Sequence, residues 1–378
     1  MGSKQPLINA GWVDGFSQSG RHSILISHLV FWFGLGSVLL AAWLPPLRYL
    51  YLLTPFLVVM ALIAEGRVGM IEEARFYVFF ILGGLVLAPL GNKEGLRDLF
   101  LAFAGMSVAF LPTVPRVSLW AVVSLVFVAT MAFFLMFGHI SDMRYFNFMA
   151  SESALESSSA FYMGAFCVFA LYRRQWFLYL FCLLCTVVFL KRIAMLGALA
   201  VGVVWLIGEK RSRYLLHPVT MVVANLAIVL VTIAYSLGAF DYYIMHWTHY
   251  SANALGQGRQ TFLRVPSAEI VDDWIRFVFV GKGPGSAYEL TRSVEIGDGE
   301  GKTNLHSDLM KIFYEYGFVW YVFLIAVLYS IKSFRAKMLA VFINVLFVTD
   351  NSLIYYNLIF FMMAMSKTDP VSPSRKAA

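Results

Sequence analysis

Long apolar runs separated by short polar connections follow one another along almost the whole chain. A helix of about 20 mostly apolar residues is long enough to cross the hydrocarbon core of a bilayer. The pattern predicts about twelve such helices, over residues 24–44, 47–64, 74–90, 96–111, 118–137, 158–172, 175–190, 193–208, 217–240, 312–331, 336–349 and 351–366.

The composition agrees with this pattern. Hydrophobic residues make up 60% of the chain and charged residues 13%, whereas soluble domains average about 45–50% and about 25%. We therefore expect an all-α polytopic integral membrane protein. One long polar stretch divides it into three parts: residues 1–240 with the first nine predicted helices, residues 241–311 as a long external loop, and residues 312–378 with the last three helices and a cytoplasmic tail.

The long loop contains one amphipathic segment, "SAEIVDDWIRFVFV", over residues 267–280. Its apolar residues recur at helical spacing. We predict an interfacial helix that lies on the outer leaflet.

Basic residues set the orientation of the chain. With the N-terminus in the cytoplasm, most Lys and Arg residues of the short connections lie on the cytoplasmic side, as the positive-inside rule requires. Both termini are then cytoplasmic, the loop 241–311 is external, and the first apolar run is expected to be an uncleaved anchor. The net charge of +7 is scattered over connections and forms no stripe, so we expect no nucleic-acid partner.

Lys191 and Arg192 interrupt a long apolar stretch. A single helix of about 30 residues would be about 45 Å long, too long for a core of about 30 Å. The pair is therefore predicted to turn a hairpin at the outer face. Either both side chains extend along the interface to reach water, or they form an anion site, since cations at membrane depth need a reason to be there.

Arg259 and Arg264 lie in "GQGRQTFLR", residues 256–264, early in the external loop. The planar guanidinium binds phosphate oxygens through two parallel hydrogen bonds. The alternative is that both arginines simply face water.

The segment "NLHSDLMKIFYEYGFVWYVFL", residues 304–324, gathers ionisable groups at the start of a predicted helix. Asp308, Lys311 and Glu315 would share one helix face and could form a ladder of ion pairs. His306 lies on another side and is left over. Its imidazole can accept a proton at neutral pH or hold a substrate oxygen.

Two other motifs are weaker. The glycine-rich "GKGPGSAYE", residues 281–289, does not follow a strand and is predicted to be a turn. His246 and His249 are three residues apart but lack a third ligand at suitable spacing, so we predict interface residues there and no metal site.

Together these motifs resemble the O-antigen polymerase and O-antigen ligase superfamily of bacterial envelope glycosyltransferases. The resemblance covers roughly residues 185–360. It depends on four matches in one order: Lys191-Arg192 before a small-residue helix, Gly258-Arg259 at the opening of the long loop, the Gly281 and Gly283 turn, and "HSDLMKIFYEYG" with His306, Glu315 and Gly317. Ser307 departs from the pattern, since many ligases have Asn there.

The resemblance implies a GT-C-like fold in the bacterial inner membrane. It also implies inverting glycosyl transfer from a polyprenyl-pyrophosphate-linked oligosaccharide, without a metal or another cofactor. Arg192 and Arg259 would neutralise charge that develops on the leaving pyrophosphate, and His306 would take the proton from the attacking sugar hydroxyl. Lys191, Arg264 and Glu315 are expected to bind substrate. The implied partners are lipid-linked donor and acceptor, membrane lipids, a chain-length regulator and a flippase.

A polymerase that joins repeat units on their lipid carrier is the favoured function. A ligase that moves glycan onto a lipid core or another acceptor would use the same residues. A flippase or other transporter should instead show buried charges near the membrane midplane and repeat symmetry, whereas the unusual ionisable groups here gather at one face.

Overall fold

A computed structural model describes residues 20–41, 45–137, 146–147, 152–153, 156–256, 258–293 and 305–368 of the chain. In these residues the structure is helical apart from one antiparallel pair of two-residue strands, β1 (Phe146–Asn147) and β2 (Glu152–Ser153). The predicted helical class is therefore confirmed.

In the described part of the chain, ten α-helices precede the long loop, and a helix is found at each of the first nine predicted positions. Short 3₁₀ helices extend several of them, the longest over Pro45–Leu53. The helices are α1 (Gly20–Ala41), α2 (Thr54–Glu65), α3 (Arg75–Val86), α4 (Lys93–Met106), α5 (Leu119–Phe137), α6 (Ser159–Tyr172), α7 (Trp176–Val188), α8 (Arg192–Ile207), α9 (Glu209–Leu215) and α10 (Pro218–Ser236).

The long loop is also largely helical. It contains α11 (Asp241–Thr248), α12 (Ala252–Leu255), α13 (Arg259–Asp272), α14 (Trp274–Phe279) and α15 (Ser286–Ser293). The chain continues with α16 (Asp308–Tyr329), α17 (Phe334–Thr349) and α18 (Tyr356–Thr368).

The prediction of one helix over residues 267–280 is wrong. The backbone leaves helical geometry at Asp273 (φ −122°, ψ 44°), which separates α13 from α14. Ile270 and Phe277 are buried, while Val271 and Trp274 are exposed. The apolar residues thus divide between the protein interior and the outer surface.

Among the described residues, three helices are long and apolar enough to cross a membrane: α5, α10 and α16. Helices α8 and α9, bent by 118° at the break between them, form a fourth candidate span. Large apolar side chains also point outward, such as Phe177, which is 84% exposed. Exposed apolar surface of this extent fits a helical membrane protein. The number of twelve spans stays a prediction.

Helix α6 lies at the centre of the structure. Its residues from Ser159 to Leu171 are all buried, and it packs against α7, α8, α17 and α18. Helix α16 packs against α3, α10, α14 and α17. Gly164 of α6 and Gly197 of α8 leave room for the ring of Phe342, which allows α17 to approach both helices. This packing fixes the relative positions of the helix ends that form the candidate site.

Candidate functional site

Lys191 and Arg192 lie at a sharp turn, as predicted. Helix α7 ends at Val188, Leu190 adopts a left-handed conformation (φ 45°), and α8 begins at Arg192. Lys191 forms an ion pair with Glu156. Lys191 and Arg192 therefore lie at the N-terminus of α8. The partly positive backbone N–H groups there also favour an anion.

Arg259 is the first residue of α13 and is half-buried. Gly258, just before it, has φ 81°, which glycine adopts without a steric penalty. Burial lowers the pKa of Arg259, an effect that Asp350 opposes and Arg192 reinforces. Arg259 is thus within electrostatic range of both residues, although 67 residues separate Arg192 from Arg259 in the sequence.

His306 precedes α16 and has a backbone φ of 52°. Such positive φ values are uncommon for residues other than glycine, and they concentrate at functional sites. Ser307 is the N-cap of α16: its hydroxyl accepts a hydrogen bond from Met310 N at 3.3 Å and donates one to Phe347 O at 3.4 Å. Asn caps helices as well as Ser does, so an Asn at position 307 could fill the same capping role.

Burial lowers the pKa of His306 below its ordinary value of 6.5. The carboxylate of Asp350 acts in the opposite direction, while the charges of Arg259 and Lys191 lower the pKa further. A neutral imidazole at pH 7 is the form that can accept a proton. The same interactions show that His306 lies among the cations predicted from the sequence.

Asp350 is the acidic member of this group, and the sequence analysis did not single it out. It is 7% exposed and follows the last residue of α17. Its Oδ1 accepts hydrogen bonds from Tyr355 OH at 2.7 Å and from Asn351 N at 2.8 Å, while its carbonyl oxygen accepts one from Asp308 N at 3.0 Å. In the sequence, the one feature that could have indicated Asp350 as a site residue is its position in a predicted outer turn, on the same face as Lys191, Arg259 and His306.

We call Lys191, Arg192, Arg259, His306 and Asp350 the cation cluster. Its residues come from the starts of α8, α13 and α16 and from the end of α17. The cluster holds three permanent cations and one carboxylate: Asp350 acts on Arg259 and His306, and Glu156 pairs with Lys191 from outside the cluster. The surplus positive charge and the partial burial favour a phosphate-bearing ligand.

A cavity of about 400 Å³ adjoins the cation cluster and is lined by Lys191, Glu156, Tyr162, Tyr355 and Asn357 among others. A second cavity of about 400 Å³ shares Glu156, Tyr162 and Asn357 with it. This second cavity continues between α1, α5 and α18. Its apolar lining there is Val38, Leu39, Val126, Phe133 and Phe361.

Asn357 lies where the two cavities meet. Its Nδ2 donates a hydrogen bond to Tyr162 OH at 3.1 Å. Its Oδ1 is buried and has no hydrogen-bond partner among the residues that the structure describes. A buried acceptor of this kind requires a donor to offset its desolvation. The two cavities therefore share a wall at Asn357, whose Oδ1 is an acceptor without a partner among the described residues.

The structure does not bring Arg264 into the cation cluster. Arg264 is exposed and lines a separate cavity of about 140 Å³ together with Asp241 and Gln260. Its predicted role in substrate binding stays a prediction.

Glu315 is 2% exposed, and its carboxylate accepts a hydrogen bond from Ala287 N at 3.3 Å. Gly283 N donates to the carbonyl oxygen of the same residue at 2.9 Å. The geometry gives Glu315 a positioning role for the 281–287 turn, and its predicted role in substrate binding stays a prediction.

The predicted ladder of ion pairs along α16 is wrong. Lys311 pairs with Asp98 of α4, whereas Asp308 accepts hydrogen bonds from Ser352 Oγ at 3.0 Å and Leu353 N at 2.9 Å. The charges of α16 therefore connect it to neighbouring elements. Those partners are more than 40 residues away in sequence, which a helical-face argument cannot detect.

Gly281, Gly283 and Gly317 form the contact between the 281–285 turn and α16. Gly317 interrupts α16 with φ 80° and ψ 171°, and a Cβ there would lie 2.8 Å from Gly281 N. These positions require glycine because two backbones approach closely. The "GKG" motif is therefore a structural turn, as predicted.

Within the described ranges, no group of three or more His, Cys, Asp or Glu side chains is arranged to hold a metal ion. Comparisons of the chain with protein-family models, with curated proteins and with solved structures gave no match. The functional conclusion therefore depends on the residues of the site.

Proposed function

We propose that the chain is a membrane glycosyltransferase. It joins polyprenyl-pyrophosphate-linked oligosaccharide repeat units at the outer face of the bacterial inner membrane, in O-antigen, capsule or exopolysaccharide assembly. The observation that carries this proposal is the cation cluster. In it a half-buried histidine lies within electrostatic range of Arg259 and Lys191, Arg192 acts on Arg259, and Lys191 lines a cavity.

The proposed reaction is a displacement at the anomeric carbon of the donor sugar. An acceptor hydroxyl oxygen forms the new bond to that carbon, and the bond from the carbon to the pyrophosphate oxygen breaks. The polyprenyl pyrophosphate leaves with the bonding electrons. Arg192 and Arg259 stabilise the negative charge that develops on it, an effect that can be worth about 3 kcal/mol per well-placed donor.

His306 accepts the proton that the acceptor hydroxyl loses. General base catalysis of this kind typically contributes about 10²–10⁴ in rate. Asp350 supports the step because its charge raises the pKa of His306 and so stabilises the imidazolium that forms. Tyr355 holds Asp350 by its hydrogen bond at 2.7 Å.

A lipid-linked substrate fits the two adjoining cavities. The apolar side chains between α1, α5 and α18 can take the place of lipid tails around the polyprenyl chain, since the two are similarly apolar. The cavity beside Lys191 and Tyr355 can take the pyrophosphate and first sugar, since Lys191 supplies a cation and the tyrosine rings supply surfaces for a sugar. A soluble nucleotide-sugar donor would make no use of the apolar part.

A transporter is less well supported. Among the residues that the structure describes, two ion pairs have both partners buried, Asp98–Lys311 and Glu73–Arg335. Lys311 is the fourth residue of α16 and Arg335 the second residue of α17, so each pair lies near a helix end. A transport pathway would be expected to place such charges near the membrane midplane.

The experiment uses the purified protein in detergent with the polyprenyl-pyrophosphate-linked repeat unit as sole substrate, and products are resolved as a ladder on a gel. We expect a ladder from the wild type and from Arg213→Ala, an exposed arginine paired with Glu209 outside the cluster. We expect none from His306→Ala or Arg192→Ala. Product that appears only when a lipid-core acceptor is added would identify a ligase. No product under either condition would contradict a glycosyltransferase.

A further inference from the structure

A second polar cavity, of about 430 Å³, lies away from the cation cluster. Its polar lining comes from the start of α4, from α13, from α16 and from the segment that contains α15. The side chains are Asn92, Glu269, Lys282, Ser286, Glu289 and Tyr314. None of them takes part in the reaction proposed above.

Glu269 is the most constrained acid of this cavity. Its Oε2 accepts a hydrogen bond from Tyr314 OH at 2.6 Å and forms an ion pair with Lys282 Nζ at 3.1 Å. Partial burial raises the pKa of Glu269, but these two contacts outweigh that effect and the pKa is lowered overall. Glu269 is therefore ionised at neutral pH. Since both contacts use Oε2, Oε1 can accept a hydrogen bond from a ligand.

The walls of the cavity are fixed by backbone hydrogen bonds. Lys282 N donates to Tyr314 O at 2.9 Å, and Asn92 N donates to Pro284 O at 3.0 Å. The side chain of Asn92 donates to Gly285 O at 2.9 Å and also caps α4. Side chains on such a scaffold are held in place before a ligand binds, which reduces the entropy cost of binding.

The chemistry of this cavity is opposite to that of the cation cluster. Glu269 and Glu289 contribute two negative charges and Lys282 one positive charge, while Arg276 acts on Glu269 from outside the lining. The cavity therefore lacks the surplus positive charge that favours a pyrophosphate. Carboxylates accept hydrogen bonds from hydroxyl groups, and the ammonium group of Lys282 donates them. The ligand class that satisfies both is an uncharged molecule rich in hydroxyl groups.

Helix α13 connects the two sites. Arg259 begins this helix and Glu269 lies ten residues later, a rise of about 15 Å along the axis. A ligand that reaches both must be extended, with an anionic end and an uncharged, hydroxyl-rich body. A lipid-linked oligosaccharide has this form.

We propose that the cavity lined by Glu269, Lys282 and Tyr314 is a glycan subsite, which binds sugar units of the oligosaccharide remote from the pyrophosphate. This inference builds on the proposed function, because it takes the same substrate as its ligand. It adds a binding site for the sugar chain, and the chemical step itself does not require this site.

The test measures binding rather than turnover. The full-length protein in detergent is applied to an array of lipid-free oligosaccharides, both uncharged and acidic. We expect binding of uncharged members, weakened about tenfold or more in Glu269→Gln and Lys282→Gln, as loss of a hydrogen bond to a charged group predicts. Asp272→Asn removes an exposed carboxylate from the same helix and should leave binding unchanged.

Inorganic pyrophosphate distinguishes the two sites, because it should occupy the cation cluster and leave glycan binding intact. Competition by pyrophosphate, equal binding by Glu269→Gln, or no binding of any uncharged oligosaccharide would overturn the subsite. Thermal unfolding of each variant separates lost binding from lost folding. Because no turnover is needed, glycan binding without transfer would contradict only the proposed reaction. Transfer without glycan binding would contradict only the subsite.

Discussion

Tyr355 donates a 2.7 Å hydrogen bond to Oδ1 of Asp350 across the turn between α17 and α18. The N–H of Asn351 donates to the same oxygen at 2.8 Å, so the carboxylate is held in one orientation. From there its charge raises the pKa of both His306 and Arg259. The turn therefore supplies the counter-charge around which the cation cluster is arranged.

Replacing Asp350 with Asn keeps the shape of the side chain but removes its charge. We expect kcat to fall about 10²-fold or more, because the imidazolium that His306 becomes loses its nearby anion. Tyr355→Phe keeps the charge and removes one hydrogen bond, which is worth about 0.5–1.5 kcal/mol, so its loss should be within about tenfold. Initial rates of ladder formation give both values. Equal losses of kcat in Asp350→Asn and Tyr355→Phe would mean that only the structure of the turn matters, and that the charge of Asp350 does not assist His306.

The pH dependence of the reaction should report the protonation of His306. Activity requires the neutral imidazole, and burial lowers its pKa, so the acid limb of the wild-type profile should lie below about pH 6.5. Asp350→Asn removes a charge that raises this pKa and should move the limb to lower pH. Arg259→Ala removes a charge that lowers it and should move the limb to higher pH.

Profiles of kcat/KM against pH for the three proteins test these shifts, and the position of the limb is independent of the overall loss of rate. Shifts in the same direction, or none, would show that the limb belongs to another group.

The ion pair between Lys311 and Asp98 should contribute to stability through its burial. Lys311→Met leaves the buried Asp98 with only Arg97, at 3.3 Å, as a cationic partner. Breaking a buried pair typically costs about 3–5 kcal/mol, and the contact with Arg97 should place this loss at the low end of that range. Adding Asp98→Asn should recover most of that loss, since the buried charge is removed. Arg213→Ala, which breaks an exposed pair with Glu209, should change stability by about 1 kcal/mol or less. Thermal unfolding in detergent compares the four proteins, and a double variant no more stable than Lys311→Met would contradict this account.

Ser307 should act as a helix cap and nothing more. Ser307→Ala removes the acceptor for Met310 N and should cost about 1 kcal/mol of stability. Ser307→Asn restores a capping side chain and should retain both stability and rate. A large loss of rate in Ser307→Asn with unchanged stability would instead give this hydroxyl a role in the chemistry.

Sequence patterns predicted the helices well, because apolar runs depend on local composition. They also predicted that Lys191, Arg259 and His306 would lie on one face, since the positive-inside rule fixes the orientation of every turn. They missed Asp350, because a carboxylate in a turn is usually a local cap and its partners come from distant segments.

The wrong ladder on α16 has the same cause. Helical spacing shows which residues share a face, but not which residue of another helix lies opposite. Lys311 and Asp98 are 213 residues apart, and no local rule connects them. The break at Asp273 was missed because apolar spacing continues across it.

Counting both products of one reaction tests the proposed glycosyl transfer and the role of His306 together. Purified protein is incubated with the polyprenyl-pyrophosphate-linked repeat unit, and released polyprenyl pyrophosphate is measured beside new glycosidic linkages. We expect one released carrier for each linkage in the wild type and neither product in His306→Ala. Carrier released without linkage, or a full rate of linkage in His306→Ala, would contradict the proposal.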